Sequence, residues 1–106
     1  MRLSQHFSLR ELTKSSVANR LRIQNQPGAL ETKNLQKVCD AILEPVRLHY
    51  GIPFSPSSGY RSPNLNKAVG SKNTSQHMKG QAVDFEVPGV RNLDLALWVK
   101  ENCFFD

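Results

Sequence analysis

From Thr32 to Tyr50 the apolar residues Leu35, Val38, Cys39, Ile42, Leu43 and Val46 recur at helical spacing and draw one buried stripe. Thr32 is the expected N-cap and Gly51 the expected stop. Pro45 lies inside the pattern and removes a backbone hydrogen bond, so the helix is expected to kink or restart there. The chain has 106 residues, which allows one domain with a core of modest size and leaves no room for a second.

Shorter elements surround this helix. Ser8 and Glu11 have the spacing of a capping box, with Phe7 and Leu12 placed to form a hydrophobic staple, so a short helix ending near Lys14 is expected. Residues 25–31, "NQPGALE", read as a turn or loop. Residues 52–60 have β character at each end, but Pro53 and Pro56 confine them to an edge. Ser62 and Pro63 form a cap followed by a first-turn proline, predicting a helix through Leu65 and Ala68 to Gly70. Residues 81–87, "QAVDFEV", alternate and are rich in β-formers, which predicts a strand ended by Pro88 and Gly89. Asn92 is placed to cap a last helix carrying Leu93, Leu95, Leu97, Trp98 and Val99. Without a βαβ rhythm, the class expected is α+β. Phe104 and Phe105 look like the start of another buried strand, which suggests truncation.

Composition excludes several classes. Hydrophobic content of 39% and charged content of 22% fit neither a disordered nor a membranous chain. No apolar run approaches the roughly 20 residues of a membrane span. The start, "MRLSQHFSLREL", has no apolar stretch of the secretory kind. Two cysteines make no disulfide framework; Cys39 reads as a small core residue and Cys103 as a packing one. Net charge is +5, and between Glu44 and Asp84 there is no carboxylate, while Arg47, Arg61, Lys67, Lys72 and Lys79 fall there. Such a field attracts polyanions or a carboxylate-bearing ligand. Nucleic acid is not favoured, because stacking aromatics and a recognition-helix pattern are missing.

The chemistry concentrates in residues 75–85, "SQHMKGQAVDF". A turn at Gly80 lets a loop residue, His77, face a strand residue, Asp84. If Val83 and Phe85 point into the core, Asp84 points the other way. Imidazole nitrogen and carboxylate oxygen are both zinc donors. Spacing alone leaves open a plainer reading, in which His77 and Asp84 only make hydrogen bonds in a polar turn.

Residues 58–87, "SGYRSPNLNKAVGSKNTSQHMKGQAVDFEV", resemble the zinc D-Ala-D-Ala carboxypeptidase family of metallopeptidases and its phage endolysin relatives. The family's two segments, SGYRSP and S-x-H-x-x-G-x-A-x-D, are matched here by residues 58–63 and by Ser75, His77, Gly80, Ala82 and Asp84. The resemblance extends to "HFSLRELTKSSVANR" and "LEPVR" upstream. It implies a Hedgehog/DD-peptidase-like fold: a small antiparallel sheet flanked by helices, with the last strands missing here. It implies zinc held by His77 and Asp84, with the third ligand and the general base expected beyond residue 106. Arg61 would stabilise the oxyanion or hold a substrate carboxylate, and Ser75 would orient substrate or His77. The implied substrate is a peptidoglycan stem peptide or cross-bridge, and the implied activity is that of a carboxypeptidase or endopeptidase, feeble in this chain. A non-enzymatic wall- or protein-binding module of the same fold is the alternative. His6 and His49 read as surface or packing residues.

Overall fold

A computed structural model describes residues 1–103. Its α-helices are α1 (Leu9–Thr13), α2 (Ser16–Leu21), α3 (Ala29–Val38), α4 (Glu44–Tyr50), α5 (Pro63–Ala68) and α6 (Asn92–Asn102). A π-turn, Cys39–Leu43, joins α3 to α4, and a 3₁₀ helix, Gln76–Lys79, precedes the extended segment 81–87.

The capping box forms as expected. Ser8 Oγ accepts from the Glu11 amide at 3.2 Å, and Glu11 Oε1 accepts from the Ser8 amide at 3.1 Å. Phe7 and Leu12 are both fully buried. The helix α2 was not expected; Ser15 starts it by accepting from the Ala18 amide at 3.1 Å. The central helix begins at Ala29, earlier than Thr32. Glu31 reaches back to the Gly28 amide at 3.0 Å, and Thr32 spends its hydroxyl on the Gly28 carbonyl at 2.8 Å instead of capping.

The α-helix restarts at Pro45, as expected: α4 begins at Glu44 with Pro45 in its first turn, and a π-turn leads into it. The Glu44 amide donates to the Cys39 carbonyl, five residues back. Proline has no N–H to give, and its ring crowds the carbonyl four residues earlier; a π-turn just before it shifts the hydrogen bonding and takes up that strain. Gly51, at φ 65°, ends the helix as expected. Ser62 caps α5 by accepting from the Leu65 amide at 3.3 Å, again as expected. Asn92 is the first residue of α6 rather than its cap, and its side-chain Nδ2 donates to Glu86 Oε1 at 3.1 Å.

One core cluster gathers Leu3, Phe7, Leu12, Leu35, Cys39, Leu43 and Tyr60; a second gathers Val46, Val87 and Leu95. Phe54 packs against both clusters, with its ring centroid 5.3 Å from Phe7 and 5.3 Å from Phe85. Val83 and Phe85 turn inward to this core while Asp84 stays exposed, which is the alternation read from sequence. Among the described residues, 81–87 pairs through a single antiparallel bridge, Ser58 to Asp84, rather than a ladder. Pro53 and Pro56 have no N–H to offer a neighbouring strand, so pairing starts only at Ser57 and Ser58. Phe104 and Phe105 lie outside the described residues. No helix among those described is long and apolar enough to cross a membrane.

The N-terminal segment is tied to the central helix through Glu44. Its carboxylate accepts from Ser4 Oγ at 2.6 Å and from the His6 amide at 2.7 Å, and it lies 2.6 Å from His6 Nδ1. Burial alone would raise the Glu44 carboxyl; the hydrogen bonds from Ser4 and His6 outweigh it and hold the group below its ordinary value. A lowered carboxyl contributes stability above its unfolded value and loses it as pH falls through the folded one. Glu44→Gln is therefore expected to lower unfolding free energy by about 2 kcal/mol at pH 7. The gap from wild type should narrow below about pH 4, as urea titrations at pH 7 and pH 3 would show. A gap that stays constant with pH would refute this account of the tie.

Candidate metal centre

Three pieces of chain meet at one corner: residues 57–62, the 3₁₀ helix and the segment 81–87. The first is the hub. The Ser57 and Ser58 amides donate to the Asp84 carbonyl at 2.8 and 3.3 Å, and the Asp84 amide returns a bond to the Ser58 carbonyl at 2.8 Å. Gly59 is pressed on α1: a Cβ there would lie 2.3 Å from the Leu12 carbonyl oxygen. The Tyr60 amide donates to that same oxygen at 2.8 Å, and the Arg61 amide donates to the His77 carbonyl at 3.1 Å.

Asn25, assigned from sequence only to a loop, clasps the hub. Its Nδ2 donates to the Thr13 and Tyr60 carbonyls at 2.8 and 3.0 Å, and its Oδ1 accepts from the Ser62 amide at 2.7 Å. Both neighbours of Arg61 are fixed in this way. Tyr60 is buried in the first core cluster; burial first, and Glu31 second, push its phenol up, so it stays neutral.

Ser75 starts the 3₁₀ helix, its hydroxyl accepting from the His77 amide at 3.2 Å. Gly80 ends it at φ 71°, and a Cβ there would lie 2.5 Å from the Glu31 carbonyl oxygen. The turn is therefore both left-handed and jammed against α3, two separate reasons for glycine. Asn34 of α3 anchors the same turn by donating to the Lys79 carbonyl at 2.8 Å.

These constraints bring His77 and Asp84 together. His77 Nδ1 lies 2.6 Å from the Gly59 carbonyl oxygen. A carbonyl only accepts, so Nδ1 carries the hydrogen, which in the neutral ring leaves the lone pair on Nε2. That Nε2 faces Asp84 Oδ2 at 3.4 Å. The imidazole is well covered, with 13% of the side chain exposed, while the carboxylate is 60% exposed and open to an incoming ligand.

The Arg61 side chain, half-buried, has no hydrogen-bond or ion-pair partner among the described residues. It lines a cavity of about 180 Å³ together with Lys14, Ser57, Ser58 and Tyr60. His6 and His49 stand apart: His6 pairs with Glu44, and His49 stacks on Trp98 at 4.4 Å. Cys39 is no donor, since burial pushes its thiol up to about 12. Among the described residues, no three His, Cys, Asp or Glu side chains gather as a complete metal site.

The family model described as Peptidase M15 matches residues 5–106. The chain belongs to the Peptidase M15 family. No curated protein and no solved structure matches it. Membership of Peptidase M15 makes a metallopeptidase acting on peptides the general expectation, and peptidases of this family are generally zinc-dependent.

The donor pair fits that metal. With Zn–N of 2.0–2.1 Å and Zn–O of 2.0–2.2 Å at tetrahedral angles, two ligand atoms stand about 3.4 Å apart. The Nε2–Oδ2 separation is 3.4 Å, whereas a charge-assisted hydrogen bond would close to about 2.7–2.9 Å. A histidine ligand in a metal site gives its other N–H to a carbonyl or carboxylate, and the Gly59 carbonyl stands where such a partner would. Sequence reasoning singled out His77 and Asp84 as candidate donors and missed Gly59 and Asn25. The signal for Gly59 lay within the SGYRSP match; nothing local to Asn25 points at residues 35 or more positions away.

Proposed function

We propose that this M15 chain is a zinc metallopeptidase domain of α+β class that acts on peptidoglycan stem peptides or cross-bridges at the cell wall. The observation carrying the proposal is the 3.4 Å approach of His77 Nε2 to Asp84 Oδ2, with His77 Nδ1 committed to Gly59. His77 and Asp84 are the metal donors in this reading. Zinc bound there would supply a water acidified towards neutral pH and a Lewis acid for the peptide carbonyl.

The chain's own residues do the rest. Gly59 fixes the imidazole tautomer. Ser75, through its bond to the His77 amide, holds the ligand's backbone and lies beside the substrate. Arg61 offers a planar, permanently charged fork to an oxyanion or a substrate carboxylate, and among the described residues no side-chain partner occupies it. The acid-free run from 45 to 83 suits an anionic envelope. A catalytic zinc takes three protein ligands, and this pair provides two, so the chain alone is expected to bind zinc weakly and to hydrolyse little. A second reading, wall-peptide binding without turnover, is favoured by the lack of a third donor among the described residues.

The test is titration of the zinc-supplemented protein with a stem pentapeptide ending in D-Ala-D-Ala. Arg61→Ala should weaken binding at least about tenfold, the worth of a charge-assisted contact, and leave zinc uptake unchanged. Equal binding by the variant would remove Arg61 from the substrate site. A wild-type protein that ignores the pentapeptide would remove the wall substrate.

A further inference from the structure

Asn25 sits in a segment fixed at both ends. Arg22 closes α2 at φ 55°, the Ile23 amide donates back to the Ala18 carbonyl at 2.9 Å, and Gly28 opens α3. Between them Asn25 is half-buried and commits its whole side-chain amide. Nδ2 donates to the Thr13 and Tyr60 carbonyls, and Oδ1 accepts from the Ser62 amide. The reversed amide would set an oxygen against two carbonyls and an NH₂ against an N–H, so the partners fix its orientation. An ionised aspartate has no donor, serine has one, and glutamine is a methylene longer. Asparagine alone of these makes all three bonds from this place.

The three bonds converge on two cations. Tyr60 and Ser62 bracket Arg61, and Thr13 precedes Lys14; Arg61 and Lys14 line the same cavity of about 180 Å³. The Arg61 guanidinium has no hydrogen-bond or ion-pair partner among the described residues. Its direction therefore follows from the backbone that carries it, because φ and ψ select the allowed rotamers. We propose that Asn25 is the positioning residue for Arg61: it fixes the backbone on both sides of residue 61 and holds the fork where a substrate carboxylate or oxyanion would meet it. The inference rests on the peptidase reading and adds a residue to it. A binding group must be held to within about 0.5 Å to keep its advantage, and a side chain without a partner gets that precision only from its support. The metal pair is supported separately, by Gly59 for the ring and by Asn34 and Gly80 for the turn. Its one link to this clasp is the Arg61 amide on the His77 carbonyl. Asn25 therefore acts on ligand binding and not on metal uptake.

Asn25→Asp tests this with little change of shape. Its carboxylate keeps the acceptor for Ser62 but turns a negative oxygen on the Thr13 and Tyr60 carbonyls; once protonated, the same group donates to one of them. Facing two carbonyls raises that carboxyl above its ordinary value of about 3.9. In the metal-free protein, the variant's Arg61 Nε–Hε resonance should stand away from the wild-type position at about pH 6.5 and return towards it at about pH 4. With zinc present at pH 7, the variant should bind the stem pentapeptide at least about tenfold more weakly, while zinc uptake stays within about twofold of wild type. In an Arg61→Ala background it should weaken peptide binding no further. A purely structural asparagine would lower zinc uptake and peptide binding together and would add to Arg61→Ala. Either result, or an Arg61 resonance that Asn25→Asp leaves in place, would overturn the proposal. Where Asn25→Asp does not fold, Asn25→Ala removes the same bonds without adding a charge and is read by the same resonance, affinity and uptake. A wild-type protein that ignores the pentapeptide removes the wall-substrate reading, and the Arg61 resonance still decides the part of Asn25.

Discussion

Gly59→Ala is expected to lower the melting temperature by more than about 10 °C and to disturb the metal centre with it. The new methyl would stand 2.3 Å from the Leu12 carbonyl oxygen and about as close as 3.0 Å to its carbon, all backbone of a capped helix that has no side-chain freedom to give. Forcing a methyl into a filled site costs about 1–3 kcal/mol, and the Tyr60 bond to the same Leu12 oxygen must lengthen as well. At about 4–8 °C per kcal/mol for a domain near this size, the loss exceeds 10 °C. Gly51→Ala is the control. Gly51 has φ 65° but nothing within 4 Å, so its substitution carries strain alone, about 1 kcal/mol. Calorimetry of the two variants separates the effects: equal shifts would mean that the Gly59 contact is not the constraint argued here.

His77→Ala and Asp84→Ala should each reduce zinc affinity at least about 100-fold, because losing only a supporting partner of a ligand already costs 10–100-fold. His6→Ala and His49→Ala should leave it unchanged, since those rings are engaged with Glu44 and Trp98. Isothermal titration of all four variants decides the matter. The expected pattern is loss confined to the first two. Equal uptake by wild type and His77→Ala would mean that the 3.4 Å pair is only a hydrogen-bonding turn, the plainer reading that spacing alone left open.

What the sequence disclosed was local. The Ser8–Glu11 box, the Ser62–Pro63 start and the Gly51 stop depend on residues within one turn of each other, and each formed. The alternation around Asp84 told correctly which side chains face the core, because burial is written residue by residue. Whether the segment finds a ladder depends on a partner, and Pro53 and Pro56 remove donors from the partner it has among the described residues. The start of the central helix shifted to Ala29 because Glu31 outcompeted Thr32 for the Gly28 end, a contest between two local signals. The restart at Pro45 was legible from the proline; the π-turn that leads into it was not. The tie of His6 to Glu44 spans 38 positions and the Asn25 clasp up to 37, and no periodicity reports such distances. The candidate donors His77 and Asp84 were legible because the motif carries them; the SGYRSP match contains Gly59 but does not tell that its carbonyl faces His77.

The central claim is that Gly59 holds His77 in the Nδ1–H form so that Nε2 and Asp84 share one cation. Long-range ¹⁵N–¹H spectra of the His77 ring, recorded while zinc is added, test it most directly. The account predicts a protonated Nδ1 throughout and a zinc-dependent shift confined to Nε2. A ring protonated at Nε2, or a shift at Nδ1, would contradict it.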